Sequence, residues 1–428
     1  MSSVIWHPFT QHGLEENIIS IESAEGCWLF PEQGTPILDA ISSWWVITHG
    51  HGDPRLVKAI SEQAARLDQV IFAGFTHPPA QELAQYLLKF APKGLSKVFF
   101  TDSGSLAVEV ALKMAVGAHY HHAMDHQQPP RTRILAMEHA YHGDSFGAMA
   151  VGARNIFSQS YDSLLFAVDR IPFPHPANEQ ASLAWLADYL QKHGTEVAAM
   201  IVEPLILGAG GMLMWRPEIF AQMVAMVRAH GIYVIADEVM TGWGRSGTLF
   251  ACEQAGVVPD ILCTAKGLTA GFLPLAATLC SEEIYQAFYS TSRARSFFHS
   301  SSFTANPLAC AAAVANCKIW ETDEPHTQIK RISGLHADFV KDFANKHHAV
   351  TRSCGVMAAI EFPADDAGYL ACLGPSLRHW FLRHGVLLRP LGHVLYILPP
   401  YCTPTEELER VYELIDRAYT DQTRIAAA

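Results

Sequence analysis

The sequence predicts an α/β protein: a large domain with a mostly parallel sheet covered by helices on both faces, plus a smaller α+β domain. Three observations carry this. Short, continuously apolar runs alternate with helix-period segments through the middle of the chain, as expected for strands buried on both faces. The chain has 428 residues, half of them apolar and 17% charged, which exceeds a usual single domain and suffices for a sizeable core. From about Asn306 the pattern changes to long helices with short strands.

Each element follows from its residues. The first 50 residues hold the short strands CWLF and PILDA and are expected to join the smaller domain. KVFFT (97–101) reads as a strand; after Asp102-Ser103-Gly104-Ser105 a helix begins with Val108, Leu112 and Ala115 on one side. Further strands are expected at 134–137 and at 197–202 (VAAMIV), the latter ending in Glu203-Pro204. A helix over 217–230 has Pro in its first turn and Gly231 after its end. IYVIA (232–236) runs into Asp237-Glu238, and 261–264 runs into Ala265-Lys266. The strands VMAAIEF, VLLRP and VLYILPP belong to the second pattern. The expected division is therefore a large domain over 51–305 and a small domain built from 306–428 with 1–50.

Thirty basic against 42 acidic residues give a formal charge of −12, which disfavours an electrostatic nucleic-acid binder. Uncharged apolar runs stay below the ~18 residues of a spanning helix, so no membrane partner is expected. The N-terminal residues do not show a basic stretch followed by an apolar run, so no secretory leader is expected. Nine cysteines without a C-x-x-C pair read as free thiols in a reducing cytoplasm, with no zinc site. His119, His121, His122 and His126 read as a solvated helix end, and no metal is expected.

Candidate chemistry lies at the strand ends, where open α/β sheets bind ligands. Lys266 follows an apolar strand and precedes Gly267. Partial desolvation there lowers an amine's pKa and makes it nucleophilic; the plainer reading is a surface lysine. Asp237 ends an apolar strand, so its carboxylate is expected to be buried and to need a cationic partner. That partner is either an arginine or the ring nitrogen of pyridoxal phosphate, a cofactor that requires a lysine and a ring-nitrogen partner. The turn 102–105 suits an anion through the free N–H groups of a helix start, although small residues there also serve as a simple cap.

DEVMTGWGRSG (237–247), TAKGLTAG around Lys266, DSGSLAVEVALKMA (102–115) and AYHGDSFGAMAVG (140–152), with the spacing between aspartate and lysine, resemble the class III aminotransferases of fold type I over nearly the whole chain. The resemblance implies pyridoxal 5'-phosphate as cofactor. Lys266 would bond it and move a proton during the reaction, Asp237 would keep its ring nitrogen protonated, Tyr141 would stack on the ring, and Val239 would pack beneath. Gly104 and Ser105 would bind its phosphate. In HSSSFTANP (299–307), Ser301 and Ser302 would reach the phosphate of a neighbouring subunit, making a homodimer with shared sites. Ser300 and Ser301 stand where the family usually has Gly-Pro, and Ser302 where it has Thr.

At both ends, IWHPFT (5–10), SSWW (42–45) and LRPLG (388–392) resemble the group within this family that aminates 8-amino-7-oxononanoate in biotin synthesis. On that likeness Trp44 and Trp45 wall the substrate site, Ser300 and Tyr396 line it, and Asp144 orients Tyr141 or the donor's amine. The Trp pair reads equally as core packing. Arg389 suits the substrate's distal carboxylate through its forked guanidinium; its other reading is an internal ion pair. Glu203 and Arg245 are expected to pair near the cofactor. The expected donor is S-adenosylmethionine, favoured by the Trp pair and His7. Phe9 stands where users of that donor carry tyrosine and users of lysine carry phenylalanine, so lysine is the alternative. Other readings are an ω-amino acid or diamine aminotransferase, a racemase or aminomutase on the same fold, and a catalytically silent binding protein. The intact Lys266/Asp237 pair argues against the last.

Overall fold

The computed structural model describes residues 4–14, 18–364, 369–371 and 373–426. Its centre is a sheet of β1 (Leu95–Thr101), β2 (Arg133–Met137), β3 (Asp169–Ile171), β4 (Val197–Val202), β5 (Tyr233–Asp237), β6 (Ile261–Thr264) and β7 (Ala276–Ser281). The spatial order is β1-β7-β6-β5-β4-β2-β3. β2 to β6 run parallel, and β7 lies antiparallel to both neighbours. Strand alternation divides the core into two layers. Ile134, Ile201 and Ile235 pack beneath the helix Gly104–His126, whereas Leu135, Met200 and Val234 pack against Glu179–His193 and Pro217–Arg228. The mostly parallel sheet with helices on both faces is the expected architecture.

The apolar runs placed the central strands well, and β4 and β6 have the expected bounds. β3 and β7 were not expected as strands. β3 has three residues, two of them charged, and β7 begins with small alanines whose burial is set by neighbours rather than by pattern. His119 departs from the solvated helix end: its Nε2 lies 3.1 Å from the Ala198 carbonyl, and burial pushes its pKa down to about 4.

The two ends of the chain meet. Ile37–Asp39 pairs with Trp28–Pro31 and, in parallel, with Val386–Leu387. A separate antiparallel sheet joins Thr351–Cys354, Met357–Glu361 and Val394–Ile397. One apolar cluster spans Leu38, Leu262, Ile397 and Leu408, so both sets of strands share a core. No helix among the described residues is long and apolar enough to cross a membrane.

Candidate active site

The C-terminal ends of β1, β4, β5 and β6 open on one cleft of about 520 Å³, lined by Asp102, Glu203, Asp237 and Lys266. Parallel strands produce this convergence, because their last residues share one sheet edge. Helix Gly104–His126 starts at the same edge, with Gly104 and Ser105 lining the cleft. The cleft is lined by the expected residues other than the three serines, Arg245 and His7.

Lys266 follows β6 in a left-handed backbone conformation (φ +48°), which side-chain-bearing residues seldom adopt. Its Nζ sits 4.6 Å from the Trp45 ring centroid and has no hydrogen-bond partner among the described residues. Burial pushes its pKa down to about 8, against the opposing pull of Asp237 and Glu203. This is the desolvated amine, not the surface lysine.

Asp237 is buried, and its partner is histidine rather than arginine. Oδ2 lies 2.7 Å from His142 Nδ1, and Oδ1 accepts from the Val239 amide at 3.1 Å. His142 is itself buried, so the carboxylate is held in one orientation. Glu203 accepts from the amides of Tyr141 (2.9 Å) and Gly208 (3.0 Å), and burial raises its pKa to about 7. The expected Glu203–Arg245 pair does not form. Arg245 donates instead to the carbonyls of Ile47 (2.8 Å), Pro399 (3.2 Å) and Trp45 (3.3 Å), with its guanidinium 5.1 Å from the Tyr401 ring centroid.

Tyr141 donates its hydroxyl to Asp144 at 2.9 Å, and burial followed by the Asp144 charge raises its pKa. Asp144 in turn donates its amide to Ser105 Oγ. Gly143, between Tyr141 and Asp144, has φ +123°, and a Cβ there would fall 2.0 Å from Ser105 Oγ. Val239 presses on Gly104, where a Cβ would meet its Cγ1 at 2.7 Å. Both glycines thus let flanking elements close on the helix start.

Trp44 and Trp45 have different duties. Trp45 is buried and donates Nε1–H to the Tyr396 hydroxyl at 2.9 Å. Trp44 is exposed at the mouth, 5.4 Å from Phe9, with the Arg389 guanidinium 5.2 Å from its ring centroid. Arg389 makes no ion pair among the described residues; its one hydrogen bond there, at 3.5 Å, runs to the Phe9 carbonyl. The internal-ion-pair reading is therefore not what this structure shows. Phe157 and Tyr369, 4.6 Å apart, complete the aromatic mouth.

Ser300, Ser301 and Ser302 lie outside this cleft. Ser301 donates its hydroxyl to Asp102, Ser300 donates to the Ser301 carbonyl, and Ser302 is exposed.

Residue patterning missed Asp39. Its buried carboxylate accepts from the Ser43 amide (2.8 Å) and hydroxyl (2.9 Å) and faces His51 Nε2 at 2.9 Å. It holds the turn in which Ser42, Ser43 and Trp45 all have positive φ. The run D-x-x-S-S, an acid before two hydroxyls, was the available signal. Phe157, Tyr369 and His142 were missed as well; His142 stands beside Tyr141 and its histidine–carboxylate contact bridges 95 residues.

The residues present fit pyridoxal phosphate. A desolvated amine with no hydrogen-bond partner among the described residues, a buried carboxylate with lone pairs left over, and a helix start with two close-packed residues face the same space. The model of the aminotransferase class-III family matches residues 9–419. The adenosylmethionine-8-amino-7-oxononanoate aminotransferase of Synechococcus elongatus is 46% identical, covering 96% of this chain and 97% of that protein. The enzyme of the same name from Nitratidesulfovibrio vulgaris is 39% identical over 96% of this chain and 79% of its own. Among solved structures, that of the adenosylmethionine-8-amino-7-oxononanoate aminotransferase from Methanocaldococcus jannaschii superposes with a TM-score of 0.91 at 31% identity, over 98% of this chain and 97% of that one. A PLP-bound amine transaminase from an uncultivated Pseudomonas species gives 0.90 at 29% identity, over 98% and 99%. With a family match over nearly its whole length and the lysine–aspartate site assembled at the sheet edge, the chain belongs to the class III aminotransferases.

Proposed function

We propose that this aminotransferase moves the amino group of S-adenosylmethionine to 8-amino-7-oxononanoate, giving 7,8-diaminononanoate. The reading rests on the mouth of the cleft: a guanidinium with no acidic partner among the described residues lies 5.2 Å from the Trp44 ring centroid and lines the same cleft as a desolvated lysine. The names of the relatives at 46% and 39% identity support it.

Pyridoxal phosphate, when bound, withdraws electrons so that the C–H beside the substrate's amine becomes acidic. Lys266 Nζ, with its pKa lowered to about 8, takes and returns that proton. Asp237 holds a positive ring nitrogen by charge, and His142 fixes the carboxylate that does so. Tyr141 covers the ring, anchored through its hydroxyl to Asp144, while Val239 supports the other side. Gly104 and Ser105 hold the phosphate at the helix start. Arg389 binds the acceptor's distal carboxylate, which the donor lacks at that distance. Trp44, Trp45 and Tyr396 exclude water from the reacting atoms.

A homodimer is part of this proposal. Ile71, Phe75, Phe298 and Phe303 are each more than half exposed. The two segments are tied by hydrogen bonds from Gln69 to Ser302 and from Asn306 to Asp68. A second copy covering this apolar face would bring Ser301 and Ser302 towards the neighbouring phosphate. A cytoplasmic location, and division into a domain over 51–305 and one from 306–428 with 1–50, complete the reading; the pairing of Ile37–Asp39 with Val386–Leu387 supports the latter.

Half-reaction spectra test the donor. S-adenosylmethionine is expected to bleach the visible band of the loaded enzyme, and lysine at the same concentration is not. Bleaching by lysine alone would move the enzyme to the lysine-using group; bleaching only by ω-amino acids or diamines would remove it from biotin synthesis.

A further inference from the structure

Around the two residues that follow Lys266 lies a small polar network whose side chains do not line the cleft and which the chemistry above does not use. Asn316 is fully buried on the helix Pro307–Trp320. Its Nδ2 donates to the carbonyls of Gly267 and Leu268, both at 2.9 Å. Its Oδ1 faces His49 Nε2 at 2.7 Å. His49 is buried too, and burial pushes its pKa down to about 4, so the ring is neutral near pH 7. A neutral ring bonded to an amide oxygen carries its proton on Nε2, and that proton decides which way the amide points.

The carbonyls so held belong to the two residues after Lys266. The short turn Lys266–Thr269 begins with Lys266 at φ +48° and is followed by Ala270 at φ +53°. Both are non-glycine residues in the left-handed region, a conformation that persists only where its surroundings impose it. Thr264, just before, is bound by Trp243 Nε1–H at 2.8 Å. A Cβ on Gly267 would stand 2.7 Å from the Trp243 Cβ, so the turn rests against that residue. Trp243 therefore limits the turn from one side and Asn316 ties its carbonyls from another. Without the Asn316 donors, the Leu268 carbonyl loses this partner and the Gly267 carbonyl keeps the Ala270 amide at 3.0 Å, so the peptide planes after Lys266 are less firmly held and the lysine side chain can be redirected.

We propose that Asn316, oriented by His49, is a positioning residue that holds the backbone of Lys266 in the conformation that aims its amine at the cofactor. The inference rests on Lys266 being the lysine that bonds pyridoxal phosphate. A residue that only filled space in the core would affect folding but not the state of the lysine.

The test uses the full chain loaded with pyridoxal phosphate and four variants: Asn316→Leu, which keeps the branching and heavy-atom count and removes both donors, Asn316→Asp, His49→Leu, and His49→Gln, whose amide nitrogen still donates. Three quantities are read: the pH midpoint of the visible absorption band, the rate of cofactor loss on dilution, and the melting temperature of the cofactor-free protein. Asn316→Leu and His49→Leu are expected to shift the absorption midpoint and to speed cofactor loss at least about tenfold, the equivalent of one or two hydrogen bonds. Asn316→Asp is expected to do the same, and His49→Gln to stay within about twofold of the parent. Lower melting temperatures with unchanged midpoint and cofactor loss would overturn the proposal. If the Asn316 variants fail to fold, the two His49 variants decide: a difference between Leu and Gln supports it, and identical behaviour overturns it. Borohydride reduction that tied the cofactor to a different lysine would sink the reading of Lys266 itself, an outcome distinct from unchanged midpoints with Lys266 labelled.

Discussion

Lys266 shows how burial and charge compete at one atom. Desolvation favours the neutral amine, while Asp237 and Glu203 favour the ammonium, and desolvation wins. In the cofactor-free protein, the pH dependence of labelling by an amine reagent should place its midpoint near 8, below the ordinary 10.5. Asp237→Asn removes a negative charge that helps keep the proton, so the midpoint should fall further; a rise would contradict the stated balance. Arg389 is the other residue with a measurable share. Its guanidinium is held by stacking and one long hydrogen bond, which leaves its donors available to a carboxylate. Arg389→Ala should weaken the keto-acid half-reaction by about 2–3 kcal/mol, roughly 30- to 150-fold, and the donor half-reaction much less. Equal losses in single-turnover kinetics would mean that the arginine serves structure alone. Both residues were legible in the sequence, because a polar residue closing an apolar run stands out. Asp39 and Asn316 were not, because their partners are side chains and carbonyls brought near only by the fold.

At the scale of elements, the turn carrying Trp44 and Trp45 is the strained part of the site. Three of its residues, Ser42, Ser43 and Trp45, occupy the left-handed region, at a cost of order 1–3 kcal/mol each for side-chain-bearing residues. Asp39 compensates by binding Ser43 twice while facing His51. Asp39→Ala leaves those groups without their partner and should cost on the order of 3 kcal/mol, read as a lower urea midpoint in denaturation. It should also misplace Trp45, which packs under Lys266 and binds Tyr396. Unchanged stability and turnover would show that the turn holds itself. Strand positions were legible wherever a run was apolar throughout, as in β4 and β6. They were not where an edge strand is short and charged, as in β3, or where small residues are buried by their neighbours, as in β7. The Glu203–Arg245 pairing failed for a related reason: backbone amides bind Glu203 and backbone carbonyls bind the terminal nitrogens of Arg245, and such partners leave no mark on residue spacing.

For the whole molecule, the exposed face around Ile71, Phe75, Phe298 and Phe303 decides whether one chain is sufficient. An apolar patch of that kind is costly to leave in water. Light scattering should give twice the chain mass. Phe303→Asp should yield a monomer that binds pyridoxal phosphate weakly, because Ser301 and Ser302 then reach no neighbour. A monomeric parent with full activity would remove the shared site from the account. The sheet edge that gathers Asp102, Glu203, Asp237 and Lys266 also explains why so much of the site was readable: in a parallel sheet, the last residues of separate strands become neighbours without any sequence proximity.

The proposed reaction is a transfer of nitrogen at Lys266 from S-adenosylmethionine to 8-amino-7-oxononanoate. Its most direct test is mass-spectrometric detection of the product from purified protein, pyridoxal phosphate, the keto acid and S-adenosylmethionine labelled with ¹⁵N at its amine. The expected result is 7,8-diaminononanoate carrying one ¹⁵N, and none from Lys266→Ala. No labelled product from the parent protein, with product appearing from another donor or not at all, would contradict it.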